Sequence, residues 1–221
     1  MKKIFKDVYF LGNSGCAVYL VDSRGQKDGL VLIDCGMSLD VIKNITKMNL
    51  DPKNIKHCIL THSHIDHIAA CHELYNFNKK INFYAHELDA EPIEKKGYGD
   101  RTAASWYGVN YKPIKLEKRF KSEEEILQLG KYKFTILHTP GHTPGSIVVL
   151  LKVANTKILF GQDIHGPFYE SFGSNLKDYQ KSMDKLLKLE PDILCEGHFG
   201  IIEPVDKVKE YITRYKEMNK P

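Results

Sequence analysis

A run of three histidines and one aspartate directly after an apolar segment constrains this chain more than any other feature. The segment Ile55–Leu60 reads as a buried β-strand, and it leads into Thr61-His62-Ser63-His64-Ile65-Asp66-His67. In a loop, His62 and His64 project to the same side and can bind one ion. Asp66 and His67, where the chain turns into the next helix, can reach a second ion. We therefore expect a metal site at the end of this strand, where α/β sheets collect their binding sites.

Three further candidate ligands also follow apolar segments that we predict to be strands. His142 lies between prolines and glycines after Lys133–His138, in a turn stiff enough to fix its imidazole ring. Asp163 follows Lys157–Phe160, and His198 follows Asp192–Cys195. Seven candidates at four strand ends indicate a shared site. Neutral imidazoles and carboxylates suit zinc, iron or manganese without requiring a thiolate.

Length and segment order predict the architecture. The chain has 221 residues, 42% of them hydrophobic, which fits one sizeable α/β domain over residues 1–221. The pattern favours two sheets covered by helices. Additional strands are predicted at Ile4–Leu11, Cys16–Val21, Leu30–Asp34, Ile81–Ala85 and Ser146–Val153. Helices are predicted after Ser38, Ala69 and Asn175, with a last one beginning at Pro204.

Charge and cysteine usage exclude several classes of protein. The net charge is only +4 and the lysines are spread along the chain, so we expect no nucleic-acid partner. No apolar run approaches the ~20 residues that span a bilayer, so we expect no membrane partner. The five cysteines form no CxxC pair and read as reduced, buried thiols. We expect a cytoplasmic enzyme with a small-molecule substrate, and the sequence leaves a homodimer open.

With these residues considered together, the sequence resembles the metallo-β-lactamase superfamily over nearly its whole length, in particular small glyoxalase II-like hydrolases. The resemblance implies a four-layer αββα sandwich with the site at one edge, between two sheets. It also implies a two-metal site: His62, His64 and His142 for one ion, Asp66, His67 and His198 for the other, and Asp163 bridging both. Asp34, in an Asp-Cys-Gly strand end, would support these ligands by hydrogen bonding. We expect the two divalent ions to be zinc, with iron and manganese as the alternatives.

Departures from particular members narrow the expected reaction. β-Lactamases of this fold usually carry cysteine where Asp163 stands, and flavin-linked di-iron oxygen reductases carry glutamate where His64 stands. Acyl-homoserine lactonases use a tyrosine at the position of Gly166. We expect hydrolysis of a small thioester, ester or lactone by a metal-bridging hydroxide, with Asp66 as the catalytic carboxylate. The rival is a persulfide dioxygenase with a single iron, and a phosphodiesterase or nuclease ranks third.

Substrate specificity is expected in His86–Gln128, the least strand-like part of the chain. This segment contains Arg101, Trp106 and Tyr107, which we predict to face the substrate together with Tyr169. Arg101 could meet a substrate carboxylate or pair with a local acid. Two interpretations of the segment are equally compatible with the sequence. It forms a pocket wall or a mobile lid, or it is an ordinary helical insertion or a dimer contact.

Overall fold

Two β-sheets facing each other form the middle of the protein, seen in a computed structural model that describes residues 1–23 and 29–221. Within those residues, the first sheet has seven strands in chain order: β1 (Lys2–Phe5), β2 (Val8–Ser14), β3 (Cys16–Asp22), β4 (Leu30–Ile33), β5 (Ile55–Ile59), β6 (Asn82–His86) and β7 (Lys118–Phe120). The second has six: β8 (Glu124–Leu129), β9 (Tyr132–His138), β10 (Ile147–Val153), β11 (Thr156–Gln162), β12 (Ile193–Glu196) and β13 (Ile201–Ile202). Their spatial order is β13-β12-β11-β10-β9-β8.

Helices cover the outer faces of both sheets. In chain order they are α1 (Asp40–Lys47), α2 (Ile65–Ile68), α3 (Cys71–Phe77), α4 (Glu87–Glu94), α5 (Ala104–Tyr107), α6 (Leu176–Leu189) and α7 (Val205–Met218). Short 3-10 turns lie at Pro52–Asn54 and Glu170–Phe172. In the described part of the chain, no helix has the length and apolar character needed to cross a membrane.

The side-chain alternation of β3 explains the layering. Successive strand residues point to opposite faces, so Tyr19 packs between the sheets with Phe134 and Phe160, while Val18 and Leu20 pack toward the helices on the other side. The second sheet packs its outer face against α6 and α7. This arrangement is the predicted four-layer αββα sandwich, and the fold-class prediction is confirmed.

Sequence patterns misjudged several elements. The predicted strand Ile4–Leu11 is broken, because Lys6 adopts a left-handed conformation with φ of 45° and turns the chain into the β1–β2 hairpin. Strands β7 and β8 were missed because polar residues fill at least half of each, as in many edge strands, and β13 was missed because it has only two residues. Helices α2, α4 and α5 were also missed, since two are only four residues long and α4 lacks a clear apolar face.

Strand direction brings the candidate ligands together. Strands β4 and β5 run parallel in the first sheet, and β11 and β12 run parallel in the second. Their carboxyl ends meet at one edge of the sandwich. The loops that follow these ends, helix α2 and the β9–β10 turn together carry all seven candidate ligands.

Candidate metal centre

One group of candidate ligands gathers around the β9–β10 turn. The ligand atoms of His62, His64, His142 and Asp163 all lie within 4.8 Å of one another, and these side chains are buried. Nε2 of His142 lies 2.9 Å from Nδ1 of His64 and 3.5 Å from Oδ2 of Asp163. Nε2 of His62 lies 3.7 Å from the same carboxylate oxygen. Three imidazole nitrogens and one carboxylate thus face a common point.

A second group adjoins the first and consists of Asp66, His67 and His198. Nε2 of His198 lies 3.4 Å from Oδ2 of Asp66, and Nε2 of His67 lies 3.7 Å from that oxygen. Asp163 also reaches this group, because Nε2 of His67 is 3.3 Å from its Oδ1 and Nε2 of His198 is 3.3 Å from its Oδ2. Asp163 is therefore the carboxylate that lies between both groups.

The hydrogen bonding of these atoms fits bound cations. Among the described residues, Nε2 of His62, Nε2 of His67 and Oδ1 of Asp163 are buried without a hydrogen-bond partner. Leaving a buried polar atom unpaired costs about 1–3 kcal/mol. Cations at the centre of the cluster would satisfy all three atoms. Nitrogen and oxygen donors of this kind match zinc, iron or manganese.

Protonation states in the cluster also suit metal binding. Burial lowers the pKa of His62, His64 and His142, so these rings are neutral at neutral pH and offer lone pairs. Burial alone would raise the pKa of Asp163, but the nearby rings of His67 and His198 outweigh it and hold that pKa well below its usual value. Asp163 is therefore an anion beside the neutral rings of the first group. For His67 and His198, burial would lower the pKa of the ring, but the acidic groups around them outweigh it and raise that pKa.

Asp34 holds the loop that carries four of the candidate ligands. Its Oδ2 accepts hydrogen bonds from Nδ1 of His67 at 2.7 Å and from the Thr61 hydroxyl at 2.7 Å. Its Oδ1 accepts from the backbone N–H of Thr61 at 2.8 Å. Because Nδ1 of His67 is occupied in this way, Nε2 of that ring is directed into the cluster. This is the contact expected of a residue that supports the ligands.

Asp89, on α4, ties the two histidine loops together and was missed by sequence reasoning. It is fully buried and accepts hydrogen bonds from the backbone N–H of Ser63 at 2.9 Å, the Thr143 hydroxyl at 2.7 Å and the N–H of Gly145 at 2.9 Å. Arg101 donates to it at 3.4 Å. In the sequence Asp89 looks like an ordinary acid in the first turn of a helix, so no local signal could have found it.

Replacing Asp89 with alanine is expected to destabilise the fold by about 3–5 kcal/mol, because Arg101 and three buried donors lose their shared acceptor. Chemical denaturation should show this loss as a lower midpoint. Asp40→Ala is the control, because the Asp40 carboxylate is half exposed on α1 and its loss should leave the denaturation midpoint nearly unchanged. Equal midpoints for the two variants would contradict this role for Asp89.

Glu196, at the end of β12, performs a similar task for His198. It is fully buried, and its Oε2 accepts from the backbone N–H groups of His198 at 2.7 Å and Phe199 at 2.9 Å. Its Oε1 accepts from Nδ1 of His165 at 2.7 Å. A charged residue ending an otherwise apolar strand is a signal that sequence reasoning could have used to find Glu196.

Comparison with known proteins identifies the family. The sequence profile of the Metallo-beta-lactamase superfamily matches residues 11–198. This chain belongs to the metallo-β-lactamase superfamily. The predicted resemblance is thereby confirmed, and the protein is a hydrolase of this superfamily with a histidine and aspartate cluster suited to metal.

Relatives in this superfamily are distant but cover most of the chain. The protein is 29% identical to the hydroxyacylglutathione hydrolase GloC of Haemophilus influenzae, over 83% of this chain and 85% of the relative. It is 26% identical to a metallo-β-lactamase fold-containing protein of Sulfurisphaera tokodaii, over 79% of this chain and 70% of the relative.

Solved structures share the fold of this superfamily member. A B3 metallo-β-lactamase described as the first with an active-site glutamic acid superposes with a TM-score of 0.82 at 22% identity, covering 98% of this chain and 87% of its own. The metallo-β-lactamase GOB-18 of Elizabethkingia meningoseptica superposes with a TM-score of 0.77 at 24% identity, covering 99% and 88%. At these identities the likeness establishes the architecture alone.

In this superfamily member a cleft of about 140 Å³ opens beside the metal-binding cluster. Trp106 and Tyr107, predicted to face the substrate, line it together with Asp66, His165 and other residues. Tyr169, also predicted there, is not among the lining residues but contacts Trp106, with ring centroids 4.9 Å apart. The structure does not place Arg101 in the cleft, because its guanidinium is drawn to buried Asp89.

Only a short part of the segment His86–Gln128, around α5, lines the cleft. Helix α5 carries the two aromatic residues that line the cleft, whereas α4 and β7 pack along the edge of the first sheet. Of the alternatives that the sequence left open, the pocket wall is the one this placement favours. His165, from the β11–α6 loop, also lines the cleft.

Proposed function

We propose that this protein is a binuclear metal-dependent hydrolase that cleaves small thioesters, esters or lactones. The observation that carries the proposal is the pair of ligand groups meeting at Asp163, with buried nitrogen and oxygen atoms that lack other partners in the described chain. His62, His64 and His142 would hold one ion, and Asp66, His67 and His198 the other, with zinc first and iron or manganese as alternatives. The name of the Haemophilus relative, a hydroxyacylglutathione hydrolase, supports the thioester class.

The chain's own residues would organise the reaction around these ions. Bound divalent ions supply a hydroxide nucleophile at neutral pH, because they lower the pKa of water from about 15.7 to about 7. Asp66 lines the cleft and would orient the attacking water and accept its proton. Asp34 holds the His67 ring, and Glu196 holds the loop of His198. Both ligands are therefore already in position before a substrate binds. The aromatic wall at Trp106 and Tyr107 would limit the access of bulk water.

Metal stoichiometry tests the binuclear proposal directly. We expect two ions per chain when the protein is purified without added metal and then titrated with zinc, because both ligand groups are present. Elemental analysis measures the native metal, and calorimetric titration counts the sites. His198→Ala should reduce the count to one, while His72→Ala, which changes a histidine outside both groups, should leave it at two. A single iron that binds without His67 and His198 would instead support the dioxygenase.

A further inference from the structure

The wall of the cleft formed by α5 exposes aromatic surface. Trp106 is 55% exposed and Tyr107 is 48% exposed, although both line the cleft. Trp106 contacts two neighbouring rings, with its ring centroid 4.9 Å from that of Phe172, which also lines the cleft, and 4.9 Å from that of Tyr169. Exposed aromatic surface beside a site is a common mark of ligand binding. The contacts with these two rings restrain Trp106, so it offers a firm surface to a ligand.

Another part of the cleft lining, contributed by the β11–α6 loop, is also aromatic. His165 belongs to it, with Nδ1 fixed by the buried Glu196 carboxylate. The ring of Phe199, 58% exposed, stands at right angles to His165 with centroids 4.9 Å apart. A flat or branched apolar group entering the cleft would therefore meet the rings of α5 and of His165, and Phe199 packs against the latter.

The described residues that line this cleft include no lysine and no arginine. Arg101, which lies just before α5, is the nearest arginine in sequence, but its guanidinium is engaged by the buried Asp89 carboxylate. A carboxylate at the distant end of a substrate would therefore find no cation to compensate for the water it loses on binding.

From the aromatic walls and the absence of cationic lining, we infer that the cleft binds an uncharged substrate whose acyl group is aromatic or bulky and aliphatic, stacked on Trp106. This inference rests on the proposed function and narrows its substrate class. Neutral aryl-acyl or branched acyl thioesters and esters are preferred, and acyl groups on an anionic carrier such as glutathione are turned over less well.

A binding measurement tests the inference without requiring turnover. Trp106 is the only tryptophan of the chain, so intrinsic fluorescence reports on this wall alone. The zinc-loaded protein is titrated with N-benzylacetamide, S-benzylglutathione and N-methylacetamide, none of which contains a thioester. We expect saturable quenching by N-benzylacetamide at concentrations about 10-fold lower than for S-benzylglutathione, and none by N-methylacetamide in that range. Tighter binding of S-benzylglutathione, or equal responses to all three, would overturn the inference.

Kinetics with matched thioesters provide the second measurement. For wild-type protein we expect kcat/KM to be about 10-fold higher for the phenylacetyl than for the acetyl thioester of N-acetylcysteamine, and higher than for S-phenylacetylglutathione. Trp106→Ala should remove most of the preference for phenylacetyl with metal content unchanged, and Trp106→Phe should retain part of it. The control is Tyr75→Ala, which removes an exposed aromatic ring on α3 outside the cleft.

The two measurements separate the inference from the proposed function. If the zinc-loaded protein hydrolyses none of the thioesters, the proposed function fails, and the fluorescence titration still decides what the cleft binds. If it hydrolyses them but prefers S-phenylacetylglutathione, or if Trp106→Ala leaves the phenylacetyl preference intact, the proposed function stands and the inference is wrong.

Discussion

Removing metal with a chelator is expected to lower the hydrolysis of a small acyl thioester or lactone by about 100-fold or more. The reason is the supply of nucleophile, since unbound water has a pKa near 15.7 and carboxylates and imidazoles without a metal ion would deprotonate very little of it. Thioesters are the most sensitive probe, because a thiolate with a parent pKa near ~8.5 leaves more readily than an alkoxide. Initial rates before chelation, after chelation and dialysis, and after adding back zinc, manganese or iron give the measurement.

Recovery of the rate on adding metal back is the internal control, because it shows that chelation did not simply unfold the protein. Protein freed of metal that still hydrolyses the substrate at its original rate would rule out the proposed mechanism. An oxygen-uptake assay with a persulfide should be run on the same preparation. Oxygen consumption that requires iron, without hydrolysis of any ester, thioester or lactone, would favour the dioxygenase.

The candidate ligands could be found from sequence because each lies shortly after an apolar strand, in a loop or, for Asp66 and His67, in the short helix α2. His62 and His64 follow β5 within a few residues, and Asp163 follows β11 directly. Such positions depend on local pattern, and the parallel arrangement of neighbouring strands then brings their ends together. The structure does bring all seven candidates into two adjoining groups. Their roles as ligands remain predictions until metal is measured.

The carboxylates that support the ligand loops could not be predicted from sequence patterns. Asp89 bonds to Gly145, 56 residues further along the chain, and its importance depends on two loops that only the folded chain brings together. Arg101 shows the same difficulty, since the sequence offered both a substrate carboxylate and a local acid as its partner. The folded chain supplies a buried acid from α4, twelve residues earlier. Contacts of this kind depend on packing between elements, which hydropathy patterns do not encode.

The missed edge strands have a different physical origin. In β8 the exposed and partly buried residues alternate, and Glu124 and Glu125 stand at its start. Its pairing with β9, whose residues Phe134 and Ile136 are buried between the sheets, makes it a strand. Edge strands commonly carry charge, which discourages pairing with other chains. A polar composition at such a position therefore hides a strand from sequence patterns.

Asp163→Asn is expected to weaken binding of at least one metal ion and to lower turnover by about 10-fold or more. Asparagine keeps the size of the side chain but removes the negative charge from the position that both ligand groups share. Elemental analysis gives occupancy, and kcat on the best thioester gives the rate. Asp178→Asn is the matched control, because Asp178 lies on the surface of α6 and pairs only with Lys181 at 3.0 Å among the ion pairs of the described chain. Wild-type metal content and rate in Asp163→Asn would show that another group joins the two sites, because a neutral amide cannot replace a carboxylate between two cations.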